Sequence, residues 1–138
     1  MRICGIDLKA NNTILSVMDT NEDDDIVVYI DMKTKKITLE DDENQDDVRS
    51  YCNDLLIFLK QNNIQKIAIK KRAKKGNFAG GAVTFKMEGL IQLNPHCAAE
   101  LISSQSIGAY EKKNIVDFPK ELKKYQEHSY KAALASIK

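Results

Sequence analysis

The chain has 138 residues, 30% charged and 43% hydrophobic, with a formal net charge of +1. That length supports one folded unit, residues 1–138, with a core hiding roughly 68–70% of the surface an unfolded chain exposes. Apolar runs of only a few residues exclude a helical membrane span, and the opening MRICGIDL lacks the long apolar stretch of a secretion signal, so a cytoplasmic setting is expected.

The elements read in chain order as follows. Arg2–Leu8 is strand one, and Asn11-Asn12 is a turn signal. Thr13–Met18 is strand two, returning as a hairpin. An acidic loop, Asn21–Asp25, precedes strand three, Ile26–Met32. Lys33–Lys36 turns, and Ile37–Leu39 extends the strand or the connection. Asp46-Asp47 opens a helix where acids favour the N-terminal dipole. Val48, Tyr51, Cys52, Leu55 and Leu59 then share one helical face, and Asn62-Asn63 ends it. Ile64–Lys71 holds strand four, and Ala82–Leu93 is a second helix broken by Pro95. Cys97–Ile102 is strand five, Ser103–Lys113 a short helix or loop, and Glu121–Ile137 a terminal helix. The order β-β-β-α-β-α-β-α predicts an α/β domain with a mixed five-stranded sheet covered by helices, strands one and four side by side and parallel.

Charge is segregated. Asp19–Asp47 carries twelve acids against three lysines, whereas Lys66–Lys86 carries seven basic residues and no acid. Such runs are solvated faces or, on the basic side, a seat for an anionic partner. Three cysteines, Cys4, Cys52 and Cys97, lack C-x-x-C spacing and read as buried reduced thiols.

Ile3, Gly5 and Asp7 share one face of strand one, and Ile67, Ile69 and Lys71 share one face of strand four. Pairing of these strands predicts Asp7 beside Lys71. On the terminal helix, Tyr130, Ala133, Leu134 and Ile137 form an apolar stripe, with Glu127 on the same face. That carboxylate points toward the end of strand one and requires a partner. Between strand four and its helix lies Gly76-Asn77-Phe78-Ala79-Gly80-Gly81. It matches neither a Walker A loop nor G-x-G-x-x-G. It is a tightly packed turn, or a phosphate seat aided by Lys70, Arg72, Lys74, Lys75 and Lys86, with Phe78 stacking on a base or anchoring the loop. His128 faces solvent or serves as an acid–base group. His96 and Cys97, as strand neighbours, point to opposite faces and do not share a metal.

The element order resembles the ribonuclease H-like three-layer fold, and ICGIDLKANNTILSVM resembles the first hairpin of bacterial RuvC-type Holliday-junction resolvases. CGIDLK (4–9), KGNFAGGAVTFKME (75–88) and KKYQEHSY (123–130) resemble more closely a small bacterial family, domain of unknown function 3010. The resolvase likeness implies three or four carboxylates holding two magnesium ions, with Asp7 and Glu127 as catalytic and metal-binding acids, and a homodimer. It places the strand-four acid at Lys71, where this chain reads Lys70-Lys71-Arg72, a change of two charge units. Lys71 is therefore expected to pair with Asp7, Glu127 or both in place of a metal. The expected function is DNA or RNA binding with a degenerate or very weak nuclease site and no cofactor. The alternatives are an active magnesium-dependent nuclease on structured DNA or RNA, and a protein-interaction module using the acidic segments Glu22–Asp25 and Glu40–Asp47.

Overall fold

The computed structural model describes residues 1–21, 23, 26–76 and 81–137. Its elements are β1 (Arg2–Lys9), β2 (Asn12–Thr20), β3 (Val27–Ile30), β4 (Lys36–Thr38), α1 (Gln45–Gln61), β5 (Lys66–Lys70), α2 (Ala82–Gln92), β6 (Ala98–Ile102), α3 (Ser104–Lys113), a 3₁₀ turn (Lys124–Gln126) and α4 (Glu127–Ile137). The sheet runs β3-β2-β1-β5-β6, and β4 pairs separately with β2. The first hairpin is antiparallel, and β1–β5 and β5–β6 are parallel. The mixed sheet therefore has one more strand than expected. Ile37 begins no extension of β3, because Lys36–Thr38 pairs directly with the near end of β2, opposite Asn12–Ile14.

Each sheet face has its own core. On one side Cys4, Ile6, Leu8, Leu15 and Val17 pack with Tyr51, Leu55 and Leu59 of α1 and Met87 and Ile91 of α2. On the other, Ile3, Met18 and Ala68 pack with Tyr130, Ala133 and Leu134 of α4 and Ile107 of α3. Helices on both faces of a largely buried sheet explain why β1 and β5 read as nearly continuous apolar runs.

Asn44 starts α1, its side chain accepting from the Asp47 amide at 3.0 Å. This satisfies one orphan donor of the first turn, and Asp46 and Asp47 complement the dipole there. The terminal helix is shorter than expected. Residues before Lys124 run as a connection, because Gln126 folds back on the chain. Its side chain accepts from the Lys123 amide at 2.9 Å and donates to the Leu15 carbonyl at 2.8 Å. Helix α4 thus begins at Glu127 with its entry pinned to β2. Ser16 and Ser129 share a buried hydrogen bond at 2.6 Å that completes this anchor. Among the described residues, no helix is long and apolar enough to cross a membrane.

Candidate functional site

Asp7 sits near the C-terminal end of β1 and is only 4% exposed. It faces α4, as do Ile3 and Gly5 on the same strand. The β1–β5 register runs Ile3↔Lys66, Cys4↔Ile67, Gly5↔Ala68 and Ile6↔Ile69. Its next step sets Lys70 beside Asp7. Ile67 and Ile69 point into the opposite core, against α1 and α2. Lys71 shares their side of the strand. Its side chain is exposed, and its amide continues the β5–β6 ladder by donating to the Ile102 carbonyl at 2.9 Å. The expectation that Lys71 meets Asp7 and Glu127 is therefore corrected: Lys70 is the cation on that face. Strand parity moves every side chain to the other face when the count slips by one.

Lys70 is half-buried, and its Nζ lies 3.5 Å from Nδ1 of His128 in the first turn of α4. Burial lowers the Lys70 pKa, the negative charge of Asp7 raises it, and Arg72 and Lys131 lower it further. Burial likewise lowers the His128 pKa, reinforced by Lys70 and Lys131 and opposed by Asp7 and Glu127. His128 is exposed, as a solvent-facing histidine, with Nδ1 of its ring within reach of Lys70. Glu127, the first residue of α4, is half-buried. Lys131, one turn beyond it, is tied to Glu111 of α3 at 3.5 Å.

Two polar atoms at this end of the sheet are buried and have no hydrogen-bond partner among the described residues: Oδ1 of Asp7 and Nε of Arg72. Neither Asp7 nor Lys70 is in the four ion pairs formed among the described residues, which join Arg2–Asp19, Lys35–Asp31, Lys66–Glu100 and Lys131–Glu111. Lys70 therefore lies near the Asp7 carboxylate without forming an ion pair with it. Such a buried, unsatisfied carboxylate is costly, and a ligand group is one way to satisfy it.

The other basic residues divide between two places. Lys74 and Lys75 are exposed on the segment leaving β5, at the same end of the sheet as Asp7. Gly76 there has φ +90°, which only glycine adopts readily. Lys86 belongs elsewhere: it lies on α2, across the sheet from α4, and its Nζ donates to the Asp42 carbonyl. Gly81 precedes α2 with an ordinary φ of −72°, so no left-handed turn requires it. Phe78 and Gly80, and Glu22, Asp24 and Asp25 of the acidic loop, lie outside the described residues. A surface depression of about 860 Å³ lies at the opposite end of the strands, between Arg2, Thr20, Gln65 and Cys97.

A mixed sheet opened by an antiparallel hairpin, with the first-strand acid facing a C-terminal helix, is the architecture of the ribonuclease H-like fold. The chain is similar to the RuvC structure of Thermus thermophilus, with a TM-score of 0.73 at 9% identity over 99% of this chain and 94% of that one. It is also similar to the Fowlpox virus resolvase solved with Holliday junction DNA, with a TM-score of 0.60 at 14% identity over 99% and 97% of the two chains. No curated protein matches. The sequence profile described as "Protein of unknown function (DUF3010)" matches residues 1–136, and the chain belongs to that family.

Proposed function

We propose that this protein binds nucleic acid through the end of the sheet around Asp7 and has little or no metal-dependent nuclease activity. The register that sets Lys70 beside Asp7 carries this reading. An ammonium there stands beside the first-strand acid, where holding a metal would call for a second carboxylate. Arg72 and Lys131 add positive charge to the same neighbourhood. The residues present do not fit a two-metal site: among those described, no three His, Cys, Asp or Glu side chains gather to hold an ion.

Lys70, Arg72, Lys74 and Lys75 supply the grip on phosphates. Contact with about four phosphates gives a slope of log K against log salt near −3 to −4. Binding of a labelled four-way junction across a salt series, in chelator, is the test. A steep fall supports the reading. No binding at low salt, or no response to Lys74→Glu with Lys75→Glu, contradicts it.

One observation favours a second reading, an active magnesium-dependent nuclease. Oδ1 of Asp7 is buried without a partner among the described residues, and a cation is one group that would satisfy it. Manganese-dependent cleavage of the junction that disappears in Asp7→Asn would establish that reading instead.

A further inference from the structure

A second feature lies along the sheet from Asp7. In the β1–β2 hairpin Asp7 is opposite Ile14, and Ile14 is opposite Lys36 of β4. Residues directly opposite on neighbouring strands point to one face. Lys36 therefore stands on the α4 face, two strands from Asp7, roughly 10 Å away at the usual strand spacing. Its Nζ lies 4.3 Å from the ring centroid of Tyr125.

Tyr125 is 40% exposed, although it precedes the deeply buried Gln126. The hydrogen bonds of Gln126 to Lys123 and Leu15 hold the turn that presents the ring. The exposed Lys123 and Lys124 flank it in sequence. A fixed aromatic ring amid lysines, beside an end of the sheet already rich in cations, matches the way proteins hold unpaired nucleotides. The base stacks on the ring, and ammonium groups take the phosphates.

We infer that Tyr125 and Lys36 form a stacking platform for an unpaired nucleotide whose backbone continues toward Lys70, so that the protein prefers single-stranded or locally opened nucleic acid to uninterrupted duplex. This inference rests on the nucleic-acid reading above and adds the strand state of the ligand and the residues that select it. The Lys36 ammonium lies over one face of the ring, and Tyr125 is 40% exposed.

The test is fluorescence anisotropy with short oligothymidylate and with a duplex of equal length, on wild type, Tyr125→Ala, Tyr125→Phe and Lys36→Glu. Wild type should favour the single strand. Tyr125→Ala should lose roughly tenfold in single-strand affinity, within the range for one stacked base, and little for duplex. Tyr125→Phe should keep the preference, and Lys36→Glu should weaken it. As a measurement on the unaltered protein, ultraviolet crosslinking to a 5-iodouracil oligonucleotide should map to Tyr125. Salt-dependent binding with equal affinity for single strand and duplex, unaffected by Tyr125→Ala and crosslinked elsewhere, overturns the platform and leaves the nucleic-acid reading standing. Equal losses in Tyr125→Ala and Tyr125→Phe also overturn it, because the ring is then not what binds. Absence of all nucleic-acid binding at low salt overturns both.

Discussion

Gly5 of β1 lies directly under the backbone of α4 at Ser129: a Cβ placed on Gly5 would stand 1.9 Å from the Ser129 carbonyl oxygen and 2.9 Å from the Ala133 Cβ. Here the absence of a side chain, not a special backbone angle, is what the position requires. It lets α4 settle low on the sheet and brings its first turn, with Glu127 and His128, to the level of Asp7. Backbone cannot yield as the tip of a flexible side chain can.

Gly5→Ala should therefore destabilise the protein by about 3 kcal/mol, the upper range for overpacking. Urea unfolding monitored by circular dichroism reads this as a lowered midpoint. An unchanged midpoint would mean that α4 rides higher on the sheet than the structure shows.

The Lys70 assignment separates two neighbouring lysines. Lys70→Glu replaces the cation on the Asp7 face and should create manganese binding detectable by calorimetry. It should also weaken nucleic-acid affinity about tenfold, as a two-unit charge change at a phosphate contact does. Lys71→Glu, on the opposite side of the strand, should leave manganese binding unchanged. Equal manganese binding by both variants would remove the distinction that the β1–β5 register draws.

Gln126 joins the turn before α4 to β2 by hydrogen bonds to Lys123 and Leu15, and it is 1% exposed. Replacing it with Leu strands the buried Leu15 carbonyl. A cost of about 2 kcal/mol follows from an unsatisfied buried acceptor. The same variant should loosen the presentation of Tyr125. Hydrogen exchange then rises in the first turn of α4 and not in β5, whereas uniform change across both would mean that Gln126 merely fills the core.

Much of this architecture was legible in the chain. Asn11-Asn12 announced the hairpin, the spacing from Val48 to Leu59 announced α1, and the β-β-β-α-β-α-β-α order announced the mixed sheet with β1 and β5 parallel. The site was half legible. Asp7 stands out as an acid at the end of an apolar strand, but the sequence spacing points to Lys71 where the structure has Lys70 of β5 facing it. Both faces of that strand are buried, so Ile67, Ala68 and Ile69 give no polar alternation from which to read parity. A subtler signal was available: Gly5 and Ala68 are small, stand in register, and lie under the small residues of α4. Small-on-small packing marks the close-approach face, and counting two on from Ala68 reaches Lys70. Local sequence carried no such mark for Tyr125 and Lys36, which β4 pairing brings together across 89 positions.

Tyr51 gives a pH signature for the other core. Its hydroxyl bonds Thr13 in the interior, and burial pushes its pKa up to about 12 while the Thr13 hydrogen bond pulls it down. Unfolded tyrosine titrates near about 10. The folded state keeps a proton that the unfolded chain releases, so stability is fully present below about pH 10 and falls as pH rises toward about 12, by roughly 2 kcal/mol. Urea midpoints of wild type should decline more steeply over that window than those of Tyr51→Phe. Parallel declines would show that Tyr51 titrates alike in both states.

The most direct test follows one labelled four-way junction in two readouts, complex formation and strand scission, with manganese and with chelator. Binding that is steep in salt, equal under both conditions and free of scission is the result this account predicts. Scission that needs manganese and is lost in Asp7→Asn would contradict it, because the cations around Asp7 would then not have displaced metal chemistry.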